Sequence, residues 1–164
     1  MDSIELVAYN PQWKLDFDTE KKWWQSILSS NLVACHHIGS TAIEGILAKP
    51  VIDILIEVHS LVLLDKLNFT IENYGYEVKG EYGITGRRYF QKFENGKRKF
   101  HVHCYVVGDK EVQRHIKFRN KLNSQPNLAL EYNSLKIKLA EQYKNDRIAY
   151  TKGKSEFINR IINE

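Results

Sequence analysis

Hydrophobic residues repeat with two different periods along this chain, and the change of period divides it into predicted helices and strands. Apolar residues three or four positions apart predict amphipathic helices, whereas alternating or continuous runs of β-branched and apolar residues predict strands. The segments with helical spacing are residues 11–29, 60–74, 110–122, 126–143 and a last stretch that contains residues 157–162. The segments typical of strands are residues 32–38, 51–58, 76–81, 87–94 and 98–107. The pattern therefore combines about five strands with an N-terminal helix and helices near the C-terminus.

Turn-forming residues mark where two of these segments begin and end. Asn10 before Pro11 has the form of a helix cap followed by proline at the first helical position, where a missing N–H costs nothing. Asn95-Gly96 is a strong signal for a two-residue hairpin turn. The hairpin predicts that residues 87–94 and 98–107 lie side by side in one sheet.

The stretch of residues 36–58, HHIGSTAIEGILAKPVIDILIEV, contains a glycine turn and a lone acid. Ser40 or Thr41 would cap a short helix that runs through Leu47 after the turn at Gly39. Asp53 stands alone in an apolar run, and burying a carboxylate is costly unless a cation or a hydrogen-bond donor stabilises it. Asp53 is therefore the first residue whose role needs an explanation, whereas a glycine-serine turn by itself is more typical of a purely structural turn.

Length and composition fit an ordinary globular protein, and we expect one domain over residues 1–164. The chain has 43% hydrophobic and 27% charged residues, and no apolar run approaches the roughly 18 residues that suggest a membrane span. The first residues, MDSIELVAYN, lack the plan of a signal peptide. We therefore expect a cytoplasmic protein that does not associate with membranes, in which Cys35 and Cys104 remain free thiols.

Positive charge is concentrated in the C-terminal third. Residues 110–154 contain 11 Lys and Arg against 4 Asp and Glu, although the whole chain carries a net charge of only +4. Such asymmetry favours a phosphate-bearing or otherwise anionic partner, and it is also typical of helices with solvated lysine-rich faces. The charge pattern alone does not choose between the two, and we do not expect nucleic acid as the partner.

Four segments together resemble the GrpB-like family, a branch of the nucleotidyltransferase superfamily. They are HHIGSTAIEGILAKPVIDILIEV (36–58), GEYGITGRRYF (80–90), FHVHCYVV (100–107) and DRIAYTKGKSEFI (146–158). The resemblance implies an α+β, nucleotidyltransferase-like fold with a mixed or antiparallel sheet of about five strands, on which an N-terminal helix and C-terminal helices pack. In that superfamily a Gly-Ser turn binds a nucleotide phosphate, and carboxylates on the following strand hold a divalent metal.

The acids of this chain depart from the superfamily's pattern. Metal-dependent phosphoryl transfer needs several carboxylates that converge on ions about 3.5–4 Å apart. The superfamily usually has a second acid two residues after the first, but position 55 is Leu. Glu57 shares the face of Asp53, yet four residues of strand place it about 13 Å away. The sequence therefore predicts an incomplete set of acids.

Two histidines on the partner strand stand where a further acid is expected. His101 and His103 lie about 7 Å apart on one face of that strand. With Asp53 and with Glu81 from the neighbouring loop, they form a candidate metal site. One carboxylate and two imidazoles suit Zn, Fe, Ni or Mn, whereas Mg or Mn is expected if the histidines do not ligate. Alternatively, the histidines only donate hydrogen bonds to Asp53 or to the backbone.

The candidate ligand-binding residues are the glycine turn and a set of cations. A guanidinium presents a planar fork to phosphate, and alternation along the strand turns only one of the two adjacent arginines toward the histidines. The candidate residues are Gly39, Ser40, Thr41, Lys49, Arg87, Arg88, Arg119 and Lys154.

Three functions are consistent with these residues. The first is a protein that binds a nucleotide or another phosphorylated small molecule and that, in its finer form, is a metal-dependent nucleotidyl or phosphoryl transferase. The second is a non-catalytic module that binds an anion or docks a partner. The third is a metal-dependent hydrolase that activates water with Asp53, His101 and His103, which we take as the candidate catalytic residues.

Overall fold

The computed structural model describes residues 4–164, and its helices and strands follow the predicted order. The helices are α1 (Gln12–Leu28), α2 (Leu61–Asp65), α3 (Asn68–Tyr74), α4 (Lys110–Ser124), α5 (Pro126–Gln142) and α6 (Arg147–Asn163). The strands are β1 (Leu32–Ile38), β2 (Ile52–Val58), β3 (Tyr76–Val78), β4 (Arg88–Glu94) and β5 (Lys97–Val106). Asn10 caps α1 as predicted, because its Oδ1 accepts a hydrogen bond from the backbone N–H of Gln12 at 2.9 Å.

The five strands form one mixed sheet in the order β1-β2-β5-β4-β3. The β2 and β5 strands are parallel, whereas the other neighbouring strands are antiparallel. The hairpin predicted at Asn95-Gly96 is confirmed, since both residues have positive φ and Glu94 pairs with Lys97. The α+β fold with about five strands is therefore confirmed.

One face of the sheet carries the main hydrophobic core under α1, α2 and α3. Alternate residues of β2, from Ile52 to Val58, are fully buried there and pack with Trp13 and Trp24 of α1. A tryptophan side chain buries a large apolar area, so these contacts anchor α1 on the sheet. Trp13 and Trp24 are therefore core residues.

The opposite face of the sheet is covered by α4, α5 and α6. Leu55 of β2 packs there with Ile38, Tyr105 and Val112. A second cluster lies inside the three-helix layer and includes two residues of the loop after β1, Ile43 and Ile46. This loop therefore joins the sheet to the helical layer.

The loop at residues 43–47 is not the short helix that the sequence predicts. Only a single 3-10 turn forms, Ser40–Ala42, and no side chain caps it. Gly45 has φ +83, which is outside the right-handed helical region. Asn133 and Lys136 of α5 bind the backbone N–H and carbonyl of Leu47, so those groups do not form helical hydrogen bonds.

Two other predicted boundaries are also wrong. The helix expected over residues 60–74 is two helices, because the chain turns at Leu67, whose N–H donates to the carbonyl of Leu64 at 2.9 Å. The strand expected over residues 76–81 ends at Val78, because Gly80 adopts φ +63. Within residues 4–164, no helix is long and apolar enough to cross a membrane.

Candidate functional site

The glycine turn after β1 lies directly against Asp53. Antiparallel pairing sets Asp53 opposite Ile38, the last residue of β1, so the next residue, Gly39, reaches the carboxylate. A Cβ added to Gly39 would stand 2.8 Å from Asp53 Oδ2, and Gly39 has φ +74. Only glycine satisfies both the space and the backbone conformation at this position.

Asp53 is held in its ionised form by the groups around it. Its Oδ1 lies 3.5 Å from Nε2 of His103 and 3.7 Å from Nδ1 of His101. Burial by itself raises the pKa of Asp53, but the hydrogen bond from His103 and the charges of the histidines and of Lys49 outweigh it and bring the pKa to about 2. The carboxylate therefore carries a negative charge at neutral pH.

The proton of His103 is placed by Arg87. Arg87 Nη1 lies 3.3 Å from Nδ1 of His103, and a guanidinium only donates, so Nδ1 accepts. The proton is consequently on Nε2, which faces Asp53. Arg87 is itself fixed by hydrogen bonds to the carbonyls of Glu81 and Tyr82 at 3.2 and 2.8 Å. The glycine loop thus orients Arg87, and Arg87 orients His103.

His101 is as buried as His103, since their side chains are 16% and 15% exposed. Burial lowers its pKa to about 4, although Asp53 acts in the opposite direction. Its Nε2 is buried and has no hydrogen-bond partner among the described residues. His101 is therefore neutral at pH 7.

Asp53 and His103 form one wall of a cavity of about 290 Å³ between the sheet and the helical layer. The sheet side also contributes Gly39 and Ser40. The residues contributed by the helices include Arg114, His115, Phe118, Tyr132 and Lys154. The cavity therefore brings the predicted turn and acid together with one predicted cation, Lys154.

Three lysines converge beside this cavity. The ammonium groups of Lys49 and Lys154 lie 5.6 and 4.7 Å from the centroid of the same ring, that of Tyr150. Lys136 is 1% exposed, lies 4.8 Å from the centroid of Tyr132 and donates to the carbonyl of Leu47. The site therefore concentrates positive charge next to a single carboxylate.

Burial and mutual repulsion change the acidity of these lysines. Burial first, and the charges of Lys154 and Lys49 second, lower the pKa of Lys136 to about 7. Burial and Lys49 also lower the pKa of Lys154 to about 8, against the opposing effect of Asp53. Both ammonium groups are less stable here than in water, and a bound anion would stabilise them.

A second, open groove lies between the glycine loop and the start of α6. It measures about 790 Å³ and is lined in part by Tyr82, Arg147 and Ile148. Tyr82 is 59% exposed and stacks on Tyr89, with ring centroids 5.1 Å apart. Arg147 also lies close enough to the cavity to contribute to the lowered pKa of Lys154.

Three predicted ligand-binding residues are directed away from the cavity. Thr41 is buried, and its hydroxyl pairs with Nε2 of His37 at 2.8 Å. Arg88 lies on the opposite face of the sheet and forms a bidentate pair with Asp65 at 2.8 and 3.1 Å. Arg119 donates to the carbonyl of His37 at 3.0 Å and lines a separate groove with Lys14. Alternation along β4 thus turns Arg87, not Arg88, toward the histidines.

His115 and Tyr132 are site residues that the sequence analysis did not single out. His115 stands three residues after buried Val112 on α4, so a histidine within the apolar stripe of that helix was the available signal. Its ring centroid lies 5.9 Å from that of His103, and burial lowers its pKa to about 4. Tyr132 contacts Ser40 through a hydrogen bond.

The residues present do not fit the metal centre that the superfamily implies. Glu81 is occupied, because its Oε2 accepts a hydrogen bond from the N–H of Gly86 at 2.6 Å. Among residues 4–164, no group of three or more His, Cys, Asp and Glu side chains is arranged to hold a metal ion. The predicted set of Asp53, His101, His103 and Glu81 is therefore not assembled as a metal site in this structure.

The arrangement of sheet and helices is that of the nucleotidyltransferase fold. A crystal structure of the Cid1 poly(U) polymerase with MgGTP bound has a TM-score of 0.58 to this chain, at 13% identity, and covers 90% of this chain and 50% of Cid1. At this identity the likeness concerns the fold alone.

The chain belongs to the GrpB family, whose model, described as GrpB protein, matches residues 3–164. The crystal structure of the conserved protein GrpB from Enterococcus faecalis has a TM-score of 0.91 at 37% identity, over 97% of this chain and 95% of that one. The UPF0157 protein YqkA of Bacillus subtilis is 44% identical over 155 residues, which are 94% of this chain and 45% of YqkA. The chain thus spans less than half the length of that relative.

Proposed function

We propose that the cavity beside Gly39 binds the phosphate groups of a nucleotide or of another phosphorylated small molecule. The observation that carries the proposal is the convergence of Lys49 and Lys154 over one tyrosine ring, with buried Lys136 beside them. Ammonium groups form strong charge-assisted hydrogen bonds with phosphate oxygens. A phosphate would therefore offset the burial and the mutual repulsion that lower the pKa values of Lys136 and Lys154.

The glycine turn supports the same ligand. Gly39 and Ser40 line the cavity, and Gly39 allows the backbone to approach a ligand closely because it carries no side chain. The open groove beside Tyr82 then offers an exposed aromatic ring to the remainder of the ligand. An aromatic ring is a suitable surface on which a planar base can stack. Since Cid1, which shares the fold, is described with bound MgGTP, nucleotides are the first ligands to test.

The finer hypotheses, metal-dependent transfer and metal-dependent hydrolysis, receive less support from the site. Both need a cation that several ligands hold in place. This site offers one carboxylate, and the partner histidines are already hydrogen-bonded or buried. We therefore propose binding as the function and leave catalysis out of the proposal.

A titration with a matched pair of variants tests the proposal. Calorimetry would measure binding of ATP, GTP, CTP, UTP and tripolyphosphate to the protein and to Lys154→Gln and Lys138→Gln. Lys138 is exposed on α5 and lines neither the cavity nor the open groove, so its substitution controls for net charge. We expect Lys154→Gln to weaken binding at least about tenfold, which corresponds to one charge-assisted hydrogen bond. Failure of all five probes to bind, or equal effects of the two variants, would contradict the proposal.

A further inference from the structure

On the carboxylate side of the cavity, the hydrogen bond from Arg87 opposes the use of His103 as a metal ligand. Arg87 occupies Nδ1 of His103, and the proton on Nε2 of the same ring faces Asp53. A metal-ligating imidazole must offer a free lone pair. His103 could offer one only by releasing Arg87, and the cation would then lie beside a guanidinium.

Leu55 occupies the position at which the superfamily usually has its second acid, and it makes apolar contacts. Leu55 is 0% exposed and packs against Ile38, Tyr105 and Val112. A carboxylate at this position would lose its hydration without gaining a partner, which is unfavourable by several kcal/mol. The packing of α4 on the sheet thus depends on the absence of the second acid.

The helical side of the cavity supplies positive charge instead. Lys154 lines the cavity, and Lys49 lies over the same tyrosine ring. Lys136 lies close enough to both for their charges to affect its pKa. Lys154 can neutralise phosphate oxygens directly, and the charges of Lys49 and Lys136 add to the positive potential beside it, which is the role that a divalent ion has in metal-dependent phosphate sites.

We infer that this site holds its phosphorylated ligand without a divalent metal ion, with the ammonium group of Lys154 and the neighbouring charges of Lys49 and Lys136 in place of the cation. The inference rests on the proposed function, because it concerns the same cavity. Such a site differs from the pattern of the superfamily because this chain lacks the second acid, at position 55.

The inference reverses the expected effect of replacing Asp53. In a metal site, Asp53→Asn removes a ligand of the cation and weakens binding. In an ammonium site, the same change removes a negative charge that repels phosphate. We therefore expect Asp53→Asn to bind tripolyphosphate as tightly as the parent protein, or up to about tenfold more tightly if the carboxylate repels the anion across the cavity.

The first experiment compares binding with and without metal. Calorimetry would measure tripolyphosphate binding in EDTA and then in Mg²⁺ or Mn²⁺. We expect binding in EDTA that is at least as tight as in metal, because free Mg²⁺ competes with the lysines for the phosphate oxygens. Binding that appears only when metal is added would overturn the inference and leave the proposed function standing. No binding under either condition would overturn both.

A second measurement does not depend on how well the variants fold. The electron paramagnetic resonance of Mn²⁺ with ATP would be recorded with and without the unmodified protein. We expect the protein to displace Mn²⁺ from ATP, or to leave the signal of the Mn²⁺–ATP complex unchanged. A new signal from Mn²⁺ bound to the unmodified protein together with ATP would overturn the inference.

Discussion

The carboxylates on the two faces of the sheet, Glu20 and Asp53, have different surroundings. Under α1, the buried carboxylate of Glu20 accepts hydrogen bonds from Lys92 and Tyr76, each at 2.6 Å, and from Tyr74 at 3.2 Å. Under α4 to α6, the nearest imidazole nitrogens to Asp53 stand 3.5 and 3.7 Å away.

We propose that this difference separates charges that stabilise the fold from charges that bind a ligand. A buried carboxylate with short bonds to a lysine and two phenols has its hydrogen-bonding capacity satisfied within the protein. Lys136 and Lys154 have lowered pKa values, so the protein holds them in an environment that disfavours their charge. Substitutions on the first face should therefore change stability, and substitutions on the second should change ligand affinity.

The largest effect is expected from Lys92→Met on the α1 face. The substitution leaves Glu20, which is 4% exposed, without its cation. Removing one partner of a buried ion pair typically costs about 3–5 kcal/mol of unfolding free energy. Urea denaturation would measure it, and tripolyphosphate affinity should stay unchanged. Lys14→Met is the control, since Lys14 and Glu44 form an exposed pair and should contribute little.

Equal destabilisation by Lys92→Met and Lys14→Met would show that Glu20 does not depend on its lysine. A large loss of affinity in Lys92→Met would show that the two faces are coupled. Either result would contradict the expectation that one face determines stability and the other determines ligand affinity.

A smaller effect on stability, with a larger one on binding, is expected from Gly39→Ala. An added Cβ would lie 2.8 Å from Asp53 Oδ2, and the backbone of Gly39, at φ +74 and ψ −171, belongs to a region that is essentially limited to glycine. We expect a loss of about 3 kcal/mol in unfolding free energy, which is the upper part of the range for such strain. Ligand affinity should fall at least about tenfold because the turn must move.

Gly45→Ala provides the matched control for this substitution. Gly45 has a similar φ of +83, but a Cβ there would meet no atom within 4 Å. Denaturation would measure the unfolding free energy of both variants, and titration would measure their ligand affinity. The difference between the variants gives the effect of the contact with Asp53 apart from that of backbone strain. If the two variants behave alike, close approach of the turn to Asp53 is not important for the site.

The local features of the fold could be predicted from the sequence because nearby residues determine them. The strand over residues 32–38 and the turn at Asn95-Gly96 were both predicted correctly, since each depends on side-chain alternation or on positive φ. The loop over residues 43–47 could not be predicted from the same kind of signal. Its backbone binds Asn133 and Lys136, which lie almost ninety residues away in the chain.

The candidate site was only partly predictable for the same physical reason. Asp53 was conspicuous because a lone acid in an apolar strand requires a stabilising partner. Which of Arg87 and Arg88 faces the histidines depends on the residue at which regular strand pairing begins after the glycine loop. Alternation alone does not determine that residue. The convergence of Lys49 and Lys154 on Tyr150 depends on how α6 packs against the loop after β1, which no local pattern encodes.

The affinity of the cavity for anions should decrease as pH rises. Lys154 has a pKa of about 8, and binding an anion favours its protonated form. Between pH 7 and pH 9 the free protein loses this proton, so affinity should fall about tenfold. The groups facing Lys154 are Lys49, Asp53 and Arg147, and Lys136, with a pKa of about 7, acts in the same direction.

Trimetaphosphate is a suitable probe for this pH dependence, because its own charge is constant over the range. Calorimetric titrations at several pH values would give the slope, and Lys154→Gln should flatten it. A slope that is the same in Lys154→Gln would assign the titration to another group and weaken the distinction between the two faces.

The smallest effects are expected from two adjacent arginines that alternation places on opposite faces. Arg88 pairs with Asp65, whose side chain is 40% exposed, so Arg88→Gln should cost about 1 kcal/mol or less of unfolding free energy and leave affinity unchanged. Arg87 orients His103 beside the cavity, so Arg87→Gln should weaken tripolyphosphate binding. Denaturation and calorimetry would compare the stability and the ligand affinity of the two variants. Both replace Arg with Gln, and they affect opposite faces of the sheet. If Arg88→Gln weakens binding as much as Arg87→Gln, the effect is one of net charge, and the position of each arginine relative to the cavity is irrelevant.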